Sequence, residues 1–205
     1  VSTADANDFN RIRVQNVVSG GVINLREIQV WWRNPNNGNI SNIARHGTVI
    51  AFSEKGDSRV SSNINDGTTA YYHSGEGGTT NEFIQIAWSG PPESGTGSYF
   101  VQDIVEIVVF NRNDHSTHYH DRYNDQKISL YNSVGTEIMY WNNNTDSLGI
   151  PSAPSTSNAH IIVYQNPNRS ETTDSEWRTT GSGLHPSSSS KVRKAGGNDA
   201  DVSAP

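Results

Sequence analysis

The run "DIVEIVVF", Asp103 to Phe110, is the most apolar stretch of this chain. It is dominated by β-branched residues, which favour extended backbone, and turn residues lie beyond it. It reads as a strand. The same pattern recurs in "RIRVQNVV" (Arg11 to Val18), "VINLREIQVWW" (Val22 to Trp32), "TVIAFS", "EFIQIAW", "KISLY", "EIMYW" and "HIIVY". No segment sustains apolar residues at helical spacing for three turns, so helices are expected to be short or absent. The expected fold is all-β, a jelly-roll β-sandwich of about eight antiparallel strands. Within it, "SGG" (Ser19 to Gly21) makes a hairpin or tight connection, "NPNNGN" is a loop, and Val134-Gly135 turns between two strands.

Composition agrees. The chain has 205 residues, 32% of them apolar, with 5 Trp, 8 Tyr and 5 Phe, enough to fill one sandwich core. From Thr179 onward "TTGSGLHPSSSSKVRKAGGNDADVSAP" lacks apolar periodicity and reads as an irregular C-terminal tail or linker. The expected division is therefore a sandwich over 1–178 and a Ser/Gly/Pro-rich tail over 179–205. Such a tail is expected to order only against a partner.

Charge and chemistry narrow the function. Fifteen Lys and Arg against 21 Asp and Glu give a net charge of −6, with no basic block in the body. Nucleic acid is not an expected partner. With no cysteine, disulfides, thiolate zinc sites and thiol nucleophiles are excluded. No apolar stretch is long enough for a membrane-spanning helix, and no signal peptide is visible at Val1. Sequons begin at Asn39, Asn143 and Asn168, frequent by chance in so Asn-rich a chain. No nucleophile elbow, zincin helix or phosphate loop is present, and Asp114 with Asp121 lacks the framework of a glycosidase pair. The expectation is a protein that is not an enzyme.

Three stretches, taken in order, carry a resemblance. "INLREIQVWW" is followed by "SNIARHGTVIAFS"; then comes "SSNINDGTTAYYHS" leading into "NEFIQIAW"; last is "IVEIVVFNRND", with Arg122 a few residues on. Together they resemble the galactose-binding-like β-sandwich family, which includes fucose-binding lectins, discoidin-like domains of coagulation factors and carbohydrate-binding modules. The likeness covers roughly Phe9 to Gln165. A strand like "NLREIQVW" closes the lectin domain, whereas here it opens the chain, so the order resembles a permuted arrangement similar to domains in proteins of large algal viruses.

The resemblance implies a structural calcium. In the lectins its ligands come from an Asn-x-x-Asp-Gly loop, a nearby Ser, and a Glu with the preceding carbonyl. The matching positions are Asn63, Asp66, Thr68, Ser74, Arg26 (through its carbonyl) and Glu27. Calcium takes six to eight oxygens from carboxylates and carbonyls, which irregular loops supply well. Each residue also has a plain structural reading: Asp66-Gly67 as a turn, Asn63 as an Asx-turn residue, Glu27 as a solvated strand residue.

The resemblance also implies a sugar site. Its members would be Arg112 and Asp114 of an Arg-x-Asp triplet, Arg122 as a second guanidinium, and His73 in the loop after the calcium motif. Arg offers planar donors and His can donate or accept; Tyr71, Tyr72 and Tyr119 are candidates to cover the ring face. Alternatively, Arg112 and Asp114 simply brace a strand end. The family's vicinal cysteine pair is missing, "HSTHYH" lengthens the gap to Arg122, and His73 lies further from Arg112 than in the lectins. Fucose specificity therefore does not carry over. His115, His118 and His120 are in addition candidate zinc or copper ligands.

The expectation from sequence is a calcium-stabilised, lectin-like domain that binds glycans, at a cell or virion surface or outside the cell. The alternative is a structural component of a larger assembly, such as a viral capsid or surface fibre, with other protein chains as partners.

Overall fold

A computed structural model describes residues 8–68, 70–75, 80–89, 99–112, 126–142 and 160–166. Twelve strands lie among them: β1 Asp8–Phe9, β2 Arg11–Asn16, β3 Asn24–Arg33, β4 Ile40–Asn42, β5 Thr48–Ala51, β6 Tyr72–His73, β7 Phe83–Ala87, β8 Tyr99–Phe100, β9 Ile104–Asn111, β10 Gln126–Tyr131, β11 Glu137–Asn142 and β12 His160–Gln165. The eight runs expected from sequence supply β2, β3, β5, β7, β9, β10, β11 and β12. The four extra strands are only two or three residues long, too short to leave an alternating pattern. Three short 3₁₀ turns, Ile43–His46, Ser61–Ile64 and Val101–Asp103, are the helical structure among the described residues. None of it is long and apolar enough to cross a membrane.

Two sheets face each other, each antiparallel throughout. One runs β11-β10-β2-β7-β5; the other runs β12-β9-β3-β4, with β6 also pairing with β3. Side chains alternate across a strand, so β2 sends Ile12 and Val14 inward and Arg11, Arg13 and Gln15 outward. Ile84 and Ile86 of β7, Ile128 and Leu130 of β10, and Ile28, Val30 and Trp32 of β3 complete the core between the sheets. The "SGG" connection joins β2 of one sheet to β3 of the other, so it is a tight crossover and not a hairpin. Val134-Gly135 does make a hairpin turn, between β10 and β11. Gly135 takes φ +87°, a left-handed conformation that glycine adopts without cost, and its N–H donates to the Asn132 carbonyl at 3.0 Å.

The sandwich differs at its two ends. One end is filled by edge-packed aromatics: Phe9, Trp32, Trp88 and Tyr99 have ring centroids 5.1–5.8 Å apart. At the other end β2, β5 and β9 finish and β3, β7 and β10 begin. There the polar Ser53, Glu82, Asn16, Ser74 and Asn24 gather around the buried Tyr72.

Candidate functional site

The site is built on β3. Ile23, just before it, and Leu25 lie in the core, and so do Ile28, Val30 and Trp32 further along. Strict alternation cannot place both sets inside; a β-bulge does. Leu25 pairs with Asn111 and Glu27 with Phe110, so Arg26 is the extra residue that shifts the phase. After the bulge, Glu27, Gln29 and Trp31 point away from the core. They are nonetheless buried, at 0%, 1% and 7% exposure. Trp31 Nε1 donates to Gln29 Oε1 at 3.0 Å, and Gln29 Nε2 donates to Glu27 Oε1 at 3.1 Å.

Along the free edge of β3, between its pairings with β6 and β4, loops replace a neighbouring strand. Asn42 Oδ1 accepts from Val30 N at 3.1 Å and also caps the first 3₁₀ turn through Ala44 N at 3.2 Å. The loop Asn65–Thr68 lies beside Glu27, whose carboxylate accepts from the Gly67 backbone. Gly67 takes φ +76°, and an added Cβ would run into the Arg45 guanidinium. The positive φ favours glycine there. Asp66 Oδ1 accepts from Thr68 N at 2.8 Å and Thr68 Oγ1 from Ala70 N at 3.2 Å, which folds this loop back on itself.

Burial pushes Glu27 up from the ordinary 4.5 to about 7; Gln29, Arg45 and the Gly67 N–H oppose the rise, and the charge of Asp66 adds to it. Glu27 Oε2 is buried with no partner. A buried carboxylate with an orphaned oxygen beside a second carboxylate fits a hard cation that prefers oxygen ligands. Among the described residues no three His, Asp or Glu side chains gather as a metal-ligand group.

The six expected cation ligands divide. Glu27 and the Asp66–Thr68 loop come together, with Arg26 at the bulge next to them. Asn63 Nδ2 donates to the Ser58 and Tyr71 carbonyls, at 2.6 and 3.0 Å, and so shapes the loop from behind. Ser74 is tied to Ile23: its Oγ accepts from Ile23 N at 3.1 Å and its N donates to Ile23 O at 3.0 Å. Ile23 lies four residues before Glu27, on the other side of the bulge.

The expected sugar ligands converge at the start of β3. His73 pairs with Asn24, and the register that joins Leu25 to Asn111 carries Arg112 to the level of Asn24 on the other side. The three share the face turned away from the core, because Ile23 and Leu25 take the inward one. The Arg112 guanidinium reaches across β3 and sits 4.2 Å from the centroid of the Tyr71 ring. His73 and Arg112 are 4% and 6% exposed, and His73 Nδ1 is held by the Ser74 carbonyl. Tyr72 is not available to cover a ligand: it is in the core at 0% exposure, its hydroxyl donating to the Ser53 carbonyl at 2.6 Å. Asp114, Arg122, Tyr119, the histidines at 115, 118 and 120, and the tail 179–205 lie outside the described residues.

Sequence reading passed over Asn24, Gln29 and Arg45. Asn24 left a trace, since it interrupts the apolar "VINL". Gln29 and Arg45 left none, because their roles depend on which face the bulge selects.

None of the protein-family models, curated proteins or solved structures compared with the chain matches it.

Proposed function

We propose that this protein is a non-enzymatic, lectin-like carbohydrate-binding domain, stabilised by a structural calcium ion held by Glu27 and the Asp66 loop. The observation that carries the reading is the Arg112 guanidinium, 6% exposed and stacked 4.2 Å over Tyr71, on the same sheet face as His73. A fixed planar donor over an aromatic ring, with imidazole beside it, is suited to hydroxyl and ring oxygens. Calcium serves in this reading to hold the Asp66 loop against β3. Glycan arrays, read with saturating calcium and again with chelator, test the proposal. Binding is expected to weaken with chelator and to fall at least tenfold, about 1.4 kcal/mol, in Arg112→Ala. Arrays without signal in saturating calcium overturn it.

A second reading, that the domain is a structural component of a larger assembly such as a capsid or surface fibre, is favoured by a different observation. The outer side of the β11-β10-β2-β7-β5 sheet carries the exposed Ile50, Phe52 and Tyr140, at 45%, 56% and 55%. Ile50 and Phe52 adjoin at the β5 edge of that face, and adjoining exposed apolar groups mark contact surfaces. Sedimentation of the full chain against a Phe52→Ser, Tyr140→Ser variant tests it; identical monomeric behaviour of both counts against it.

A further inference from the structure

We propose that Asn24 is a further recognition residue of this site and reads two neighbouring hydroxyls of the bound sugar, one as donor and one as acceptor. This rests on the carbohydrate reading above.

Asn24 is 1% exposed, yet neither its Nδ2 nor its Oδ1 has a partner. Other asparagines of this chain put their side chains to use on the backbone. Asn63 holds the Ser58 and Tyr71 carbonyls, Asn65 those of Ala44 and Gly47, and Asn16 that of Gly21. Asn24 holds none, although it lies at the start of β3, paired with His73 of β6. Leaving a buried amide unsatisfied is destabilising, and such a group at a binding site is completed by what binds there.

Its position and chemistry specify the ligand. Register sets Asn24 between His73 and the level of Arg112, on their face of the sheet. A guanidinium only donates, and His73 Nδ1 is already engaged by the Ser74 carbonyl. Asn24 Oδ1 therefore gives the site an uncharged acceptor, and Nδ2 adds a donor in the same plane. A sugar hydroxyl both donates and accepts, so two adjacent hydroxyls satisfy both ends of the amide at once. A carboxylate or phosphate ligand would leave Oδ1 facing an anion. The site is thus matched to a neutral vicinal diol.

The test compares the full wild-type chain with Asn24→Leu and Asn24→Asp in millimolar calcium. The probes are neoglycoproteins bearing galactose, fucose, mannose or N-acetylglucosamine, and melting temperature is read in parallel. Leu keeps the branched shape at Cγ and removes the unsatisfied pair, so Asn24→Leu is expected to melt no lower than wild type while binding falls at least about tenfold. Asn24→Asp, which accepts but does not donate, is expected to bind more weakly than wild type. Unchanged binding by Asn24→Leu overturns the inference and leaves the carbohydrate reading intact. A lower melting temperature for Asn24→Leu also overturns it, since the amide would then be structural. Wild type that binds none of the probes overturns the carbohydrate reading and the inference with it.

Discussion

The two sheets present opposite kinds of outer face. On the β11-β10-β2-β7-β5 sheet several outward residues are partly exposed and pair with one another. Arg13 donates twice to Gln85 Oε1, at 3.0 and 2.7 Å, and stacks 4.4 Å from Phe83; Lys127 meets Glu137 at 2.8 Å. On the sheet built around β3 the outward residues Glu27, Gln29 and Trp31 are almost wholly buried, as are Val108 and Phe110 opposite them. Its polar atoms are not all satisfied: Glu27 Oε2 and both polar atoms of Asn24 lack partners. The same alternation of side chains therefore means different things on the two sheets. Where water reaches the face, charge arranges itself into pairs that matter little to stability. Where it does not, each polar group must be matched or left at a cost.

The largest test of this contrast removes bulk from the buried face. Trp31→Ala is expected to lower the free energy of unfolding by about 3–5 kcal/mol, the range for truncating a buried large side chain, read from the urea midpoint. Tyr140→Ala on the solvated face is expected to stay within about 0.5 kcal/mol. Equal losses at both positions would erase the distinction.

Next in size is Glu27. Its folded value of about 7 stands above the ordinary 4.5, so between these values the native state binds more protons than the unfolded chain. Without calcium, stability falls as pH rises through that window, by up to about 3 kcal/mol at 1.36 kcal/mol per pH unit, and is level above it. Glu27→Gln is expected to flatten this slope. In wild type, added calcium is expected to raise the melting temperature most above pH 7, where the carboxylate is charged, and chelator to reverse the gain. A wild-type pH profile that matches Glu27→Gln would overturn the assignment.

The smallest effect belongs to Glu137. Burial alone would raise it, but hydrogen bonds from Lys127, Ser129 and Tyr131 and the Lys127 charge outweigh this and hold it below the usual carboxylate value. Its contribution is present above the unfolded value and lost as pH falls through the folded one. For a partly exposed pair that is at most about 1 kcal/mol, and less in high salt. Glu137→Gln should show it by losing that acid dependence in thermal melts at low ionic strength.

Much of the scaffold was legible in the sequence. "DIVEIVVF" and its counterparts announced themselves as strands because β-branched apolar residues fill a buried pleat, and Val134-Gly135 announced a turn because glycine alone adopts its φ freely. The site was legible only in part. Glu27, Asp66, Arg112 and His73 were found through the resemblance of ordered stretches, and the structure gathers them into two neighbouring clusters along β3. Ser74 matched the family's cation motif by position, and its backbone bonds to Ile23 just before β3. Tyr72 seemed a ring to offer a ligand until its place in the core was known.

The sequence by itself determined an all-β sandwich, the absence of thiol chemistry and the strands that build the core, because these follow from residue type and local period. Tertiary structure decided which face of each strand is dry. The bulge at Arg26 shifts every side chain after it by one position, turning Glu27 and Gln29 onto a buried face and keeping Ile28 and Val30 inside. No local pattern announces that shift, since it exists only in the register between β3 and β9.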